Sequence, residues 1–331
     1  MQRFLKSHIQ PHIQFFGVLR KSLPYHFWLL QAFCLMYVIY RFASRDYTIY
    51  GLIDSDMFIY PRHRSFDPWP TPLSHLVSFV FLYDFLPGPS TTFLWWLQIG
   101  VVFSSGCALL GIYPRLFTRL TFLGFLHFTG LVLATNSEIE GGTTSLFTLL
   151  ILSLSPKSNF YTFTDLLGKG EPAERTTDHH WPIFLFLLAM SVFYGSAGLL
   201  KIIEVGPNWA LRLHLERVAP SHLGYSVFMT SRGFNPAILA FIRDNSWFAP
   251  LAACITQFTE LFFFAVLFVP RARWLFVLSM GLLHFMVYNT GGINFLGNGF
   301  LLLMCFDYNA LAEKLFYARH TKILRIQKSA A

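Results

Sequence analysis

Apolar residues along this chain come in unbroken runs, without the alternating stripes of helices that face water on one side. Eight such runs cover residues 25–40, 91–112, 116–134, 142–154, 182–200, 247–269, 274–288 and 293–306. A helix apolar all round belongs in lipid or among other helices. The fourth, seventh and eighth runs fall short of the ~20 residues a straight span needs, so they borrow from their flanks or pack inside protein. Two long polar segments separate the runs. Residues 43–90 contain Pro61-Arg62-His63-Arg64 and Asp67-Pro68-Trp69-Pro70-Thr71-Pro72, then a semi-apolar stretch at 75–85 suited to the interface or to re-entry. Residues 201–246 mix charge with Trp209, Phe228 and Phe234, the pattern of an interfacial cap. Both segments read equally as surface loops or as a lid over a cavity. The loop 157–180, with Lys169-Gly170-Glu171-Pro172, reads as a solvated linker.

Composition turns this pattern into a fold class. Hydrophobic residues make up 54% of the 331, charged residues 13%, and Phe alone occurs 38 times. A water-soluble fold must cover itself with polar groups, and this chain has too few. The expectation is an all-α integral membrane protein: one bundle of about eight transmembrane helices, with interfacial helices on the outer side. Residues 1–24 form a basic amphipathic segment, 25–310 the transmembrane domain and 311–331 a basic tail. With no small-residue cleavage site after it, the first apolar run is expected to be a retained span.

The formal charge of +8 would suggest nucleic acid in a soluble protein. Here the basic residues sit in short loops and at the ends, where they meet lipid headgroups, so the bilayer is the expected partner and nucleic acid is not. Arg115, Arg119, Arg271 and Arg273 mark short inside loops, which places both termini in the cytoplasm and the protein in the cell (inner) membrane. Cys34, Cys107, Cys254 and Cys305 all fall in apolar runs with no metal or disulfide spacing, and read as small core residues.

Chemistry in lipid is best sought where polar groups are costly. His127 lies about 11 residues from the inner end of its run, and Glu260 and His284 about ten, or roughly 15 Å at the helical rise. These three point to a polar cavity near mid-membrane or, more plainly, to side chains that pair helices. Two His and one Glu at these spacings resemble no metal motif, and no metal is expected. Lys201 ends a run of small residues, Tyr194-Gly195-Ser196-Ala197-Gly198-Leu199-Leu200-Lys201, that admits a neighbouring helix closely. Its ammonium either snorkels to the outer interface or, in a dry pocket, serves as a base. The run Asn289-Thr290-Gly291-Gly292-Ile293-Asn294-Phe295-Leu296-Gly297-Asn298-Gly299 breaks the helix at or near membrane depth, as a cavity lining or a tight turn. Walker, GxGxxG, GxSxG and HExxH signatures are absent from the sequence, which argues against nucleotide use and serine hydrolysis.

The Tyr194–Lys201 run followed by Trp209 resembles the signature of HTTM domains, the transmembrane region shared with vitamin K-dependent γ-glutamyl carboxylases. Glu260 before an apolar run ending in Pro270-Arg271, the triplet Leu283-His284-Phe285, and Gly141-Gly142 ahead of 149–156 fit the same pattern, and the resemblance covers roughly 20–310. It implies that Lys201 is a catalytic base acting on a quinone such as reduced vitamin K, from the side opposite the cytoplasm. It also implies that His284 belongs to the same site. His127, Tyr194, Trp209, Glu260, Asn289, Asn294 and Asn298 are the expected pocket residues. Two departures argue against protein γ-carboxylation itself. Thr143 stands where many relatives carry an acidic residue, and the carboxylases continue into a large substrate-recognition domain where this chain stops at Ala331. A membrane protein required for maturation of the sporulation-delaying toxin is similar in length and shares the lysine-then-tryptophan arrangement. The leading expectation is a membrane enzyme with a lysine base and a quinone-like or lipid-soluble partner. The alternatives are an accessory factor that matures or exports a secreted peptide through the outer segments, and a proton-coupled transporter using Glu260 and His284. The lack of internal repeats weighs against the last.

Overall fold

The computed structural model describes residues 25–52, 88–134, 142–156, 160–166, 180–206, 235–291, 296–306 and 308, and among these every regular element is helical. The helices are α1 (Tyr25–Ser44), α2 (Thr91–Leu109), α3 (Pro114–Ala134), α4 (Gly142–Leu154), α5 (Phe163–Leu166), α6 (Trp181–Val205), α7 (Pro236–Asp244), α8 (Phe248–Leu261), α9 (Ala265–Phe268), α10 (Arg273–Gly291) and α11 (Leu296–Leu303). Short 3₁₀ turns cover Thr48–Leu52 and Pro270–Ala272. Each of the eight apolar runs thus contains a helix among its described residues. Three helices, α1, α2 and α6, are long and apolar enough to cross a membrane. By comparison α3 opens on Arg115 and Arg119, and α10 on Arg273, which dilutes their apolar character.

The helices pack as a closed ring, each against the next: α1, α2, α3, α4, α6, α8, α10, α11 and back to α1. The core is aromatic and aliphatic, with Phe27, Phe42, Phe125, Phe128, Phe186 and Phe263 among its fully buried side chains.

Helix ends leave carbonyls with no partner in their own helix, and here side chains cap them. Helices α1 and α2 cap each other. Gln98 near the start of α2 donates to the carbonyls of Phe42 and Arg45 at the end of α1, at 2.6 and 2.8 Å, and accepts from the Tyr47 amide at 3.1 Å. Reciprocally, Gln31 of α1 donates to the Ala108 carbonyl at the end of α2 at 3.4 Å, and the Tyr161 hydroxyl donates to the Leu109 carbonyl. Gly111 follows with φ of +73°, and a Cβ there would lie 2.6 Å from the Phe163 amide nitrogen, so the turn into α3 requires glycine.

Arg41 is buried near the end of α1, donating to the Tyr47 hydroxyl at 2.7 Å and lying 5.4 Å above the centre of the Phe125 ring. Beyond α1, the exposed Asp46 carboxylate accepts from the Thr48 amide and hydroxyl, which hold it below its ordinary pKa.

The sixth apolar run departs from expectation. Instead of one helix over 247–269, α8 stops at Leu261 and the chain tightens into three-residue turns. Phe263, Ala265, Val266 and Leu267 donate to the carbonyls three residues before them, those of Glu260, Phe262, Phe263 and Phe264. Pro270, lacking an N–H, leaves the Val266 carbonyl open, and Arg273 Nε takes it at 2.7 Å.

Candidate functional site

The most polar constellation among the described residues lies where α6, α8 and α10 meet. It begins with a glycine. A Cβ on Gly198 would lie 2.9 Å from both Glu260 Cβ and the Leu261 amide nitrogen, so glycine alone allows α6 and α8 to approach this closely. Gly198 also shares a helical face with Tyr194, one turn before it, and Lys201, one turn after. Side chains on a helix lean toward its N-terminus, so Lys201 leans back toward the crossing and away from the end of α6.

The lysine reaches across the crossing. Lys201 Nζ lies 2.6 and 2.5 Å from the two oxygens of Glu260, and the side chains are 29% and 5% exposed. Two turns toward the start of α6, the Tyr194 hydroxyl shares a hydrogen bond of 2.8 Å with His284 Nε2 of α10. The Tyr194 ring packs on Phe263, with centroids 4.6 Å apart, just past the point where α8 tightens. Two polar pairs thus run along one face of α6. The first joins an amine to a carboxylate, the second a phenol to an imidazole.

This arrangement brings together Lys201, Glu260, His284 and Tyr194. Glu260 is paired with the lysine, not with a histidine. His127 lies on α3, which packs between α2 and α4, and its ring meets the edges of Phe93 and Phe128. That places it in the other half of the bundle from Glu260 and His284. Asn289 is buried near the end of α10, where its amide donates to its own helix at Phe285 (2.7 Å) and its carbonyl accepts from Asn235 ahead of α7 (3.1 Å). Asn298 falls within α11. Trp209 and Asn294 lie outside the described residues, as do segments 1–24 and 311–331. So does most of 43–90 and 201–246, on which a peptide-binding role would rest.

The sequence reading missed Phe263, the ring that supports Tyr194, because it is one of many Phe in an apolar run. It also missed the buried Arg41, for which Tyr37, one helical turn before it, was the available signal. Among the described residues no three His, Cys, Asp or Glu side chains gather closely enough to hold a metal ion. No protein-family model matches the chain, and no curated protein or solved structure matches it at a significant level.

Proposed function

We propose that this is a multi-pass membrane protein of the HTTM type, with both termini in the cytoplasm, whose working centre is the Lys201–Glu260 pair. In this reading Lys201 acts as a general base on a weakly acidic, lipid-soluble partner of the quinol class. Two exposed features support the membrane placement. Trp95 and Trp96 near the start of α2, Tyr40 near the end of α1 and Trp247 before α8 lie at one end of the bundle. Tyr113 and Trp274 lie at the other, and between them α2, α6 and α10 expose Ile99, Phe103, Leu188, Val192, Leu278 and Leu282. Aromatic belts flanking an apolar band are the mark of a bilayer-spanning surface.

The observation that carries the chemistry is the amine held at 2.5–2.6 Å by both oxygens of a carboxylate that is almost fully buried. A lysine must shed its proton before it can take another, and Glu260 is an acceptor within reach. Moving that proton leaves amine and carboxyl both neutral and the charge of the site unchanged, so the step needs no counter-ion from water. The neutral amine then takes the proton of a partner's O–H: the O–H bond breaks, an N–H bond forms, and the electron pair stays on oxygen beside the new ammonium. Tyr194 and His284 supply a second, adjustable hydrogen-bonding edge two turns away.

Native mass spectrometry of the protein extracted with its own lipids tests this reading. A bound quinone-sized molecule in the wild type, lost in Lys201→Met and in Glu260→Gln while both remain folded, is the expected result. A bundle that carries only phospholipid, or a ligand indifferent to both substitutions, would overturn it.

A further inference from the structure

We propose that the protein holds one ordered water molecule between Gln31 of α1 and Thr118 of α3, at the base of the α2–α3 hairpin. Many buried hydroxyls in the bundle satisfy themselves by donating to a carbonyl one turn back. Ser105 does so to Val101, Thr129 to Phe125, Thr148 to Thr144, Ser155 to Ile151, Ser191 to Leu187 and Thr259 to Ile255, all at 2.7–2.8 Å. Thr118 Oγ1 does not, and finds no partner among the described residues; neither does Gln31 Oε1. Both residues are fully buried.

The helix register sets these two atoms at one level of the bundle. A Cβ on Gly124 of α3 would meet Val101 of α2, and one turn on Ser104 and Ser105 reach the Thr121 hydroxyl at 3.0 and 3.3 Å. The next turn of this antiparallel pair sets Ala108 opposite Thr118. Gln31 arrives at that same level, because its amide donates to the Ala108 carbonyl. That bond also fixes the amide's orientation and leaves Oε1 as the acceptor.

An acceptor and a hydroxyl select a small neutral molecule that both donates and accepts. Water has that chemistry, and a buried polar pair of this kind is where it is held. The water donates to Gln31 Oε1 and exchanges a hydrogen bond with Thr118, stapling α1 to the hairpin where α2 ends and α3 begins.

Thermal unfolding of the full chain in detergent separates a water-bridged hydroxyl from an orphaned one. Thr118→Val is isosteric. If the hydroxyl is bridged, the apparent midpoint falls by about 2–4 °C and Thr118→Ser recovers most of it. If the hydroxyl is orphaned, Thr118→Val leaves the midpoint unchanged or raises it, and the proposal fails. A density map of the wild type that resolves ordered water gives the second measurement. A peak within hydrogen-bonding distance of both atoms, lost in Thr118→Val, is expected; a map with water elsewhere in the bundle and none here overturns the proposal whatever the midpoints show.

Discussion

Replacing Lys201 and Glu260 singly and together should show that the pair is coupled, and by how much. At an N–O separation of 2.5–2.6 Å the attraction is about 6 kcal/mol at an effective dielectric near 20, most of it offset by the desolvation of both groups. Removing one partner of a buried pair costs about 3–5 kcal/mol, because the survivor is left uncompensated. Lys201 retains 29% of its exposure, which lets it recover some solvation, so about 2–4 kcal/mol is expected for Glu260→Leu. Lys201→Met strands the more deeply buried carboxylate and belongs at the upper end of that range. The double variant removes both charges and leaves apolar groups of similar size, so its stability should return to within about 1 kcal/mol of wild type. Reversible unfolding in mixed micelles titrated with denaturing detergent measures all four corners of the cycle. Single variants each costing under about 0.5 kcal/mol, or a double variant equal to their sum, would mean that the groups do not act as a desolvated pair.

Gln98→Leu should cost about 1–3 kcal/mol in the same assay, since it strands two carbonyls and an amide at the end of α1, whereas Gln98→Glu should keep only the contact with the Tyr47 amide. Gly198→Ala should destabilise the protein by about 1–3 kcal/mol and weaken the Lys201–Glu260 coupling, because the added methyl forces α6 and α8 apart. Burial raises the Tyr161 hydroxyl to about 12. Its contribution to stability is therefore complete below the free-phenol pKa near 10 and lost as pH climbs through about 12, and Tyr161→Phe should remove that alkaline loss from the pH profile of unfolding. Tyr194→Phe should leave the Lys201–Glu260 coupling intact while weakening ligand retention, read by native mass spectrometry; equal loss of coupling would mean that the two pairs work as one unit.

Much of the helical layout was legible in the apolar runs. Helix α4 spans Gly142–Leu154 as read, because Gly141-Gly142 and Ser155-Pro156 punctuate both its ends. The stop in α8 was not legible. Residues 261–269 are apolar throughout and carry no glycine or proline, and the tightening shows only in which carbonyls they use. Glu260, Lys201 and His284 stood out because ionisable side chains are rare in apolar runs. Their pairing did not, since counting residues set Lys201 near the outer end of its helix and Glu260 near the middle of its own. Such counting ends the helix at residue 200, whereas α6 runs on to Val205, and it ignores the lean of a long side chain toward the helix start. His127 has the same sequence signature as the other two, yet α3 carries it to the opposite half of the bundle. Depth along a helix is readable from sequence, whereas the direction a residue faces around it depends on the ring of neighbours.

The polar features of the bundle share one cause. Helix ends and irregular turns free backbone carbonyls, and polar side chains of the bundle donate to them. Gln98 answers the end of α1, Gln31 and Tyr161 the end of α2, and Arg273 the carbonyl that Pro270 releases. Judged by burial alone, Glu260 and Lys201 would join that set. They differ because they bond to each other, across a crossing narrowed to glycine. A charge pair is a costly way to join two helices that leucines would join as well. Its placement beside a second polar pair is what the proposed proton-transfer role rests on.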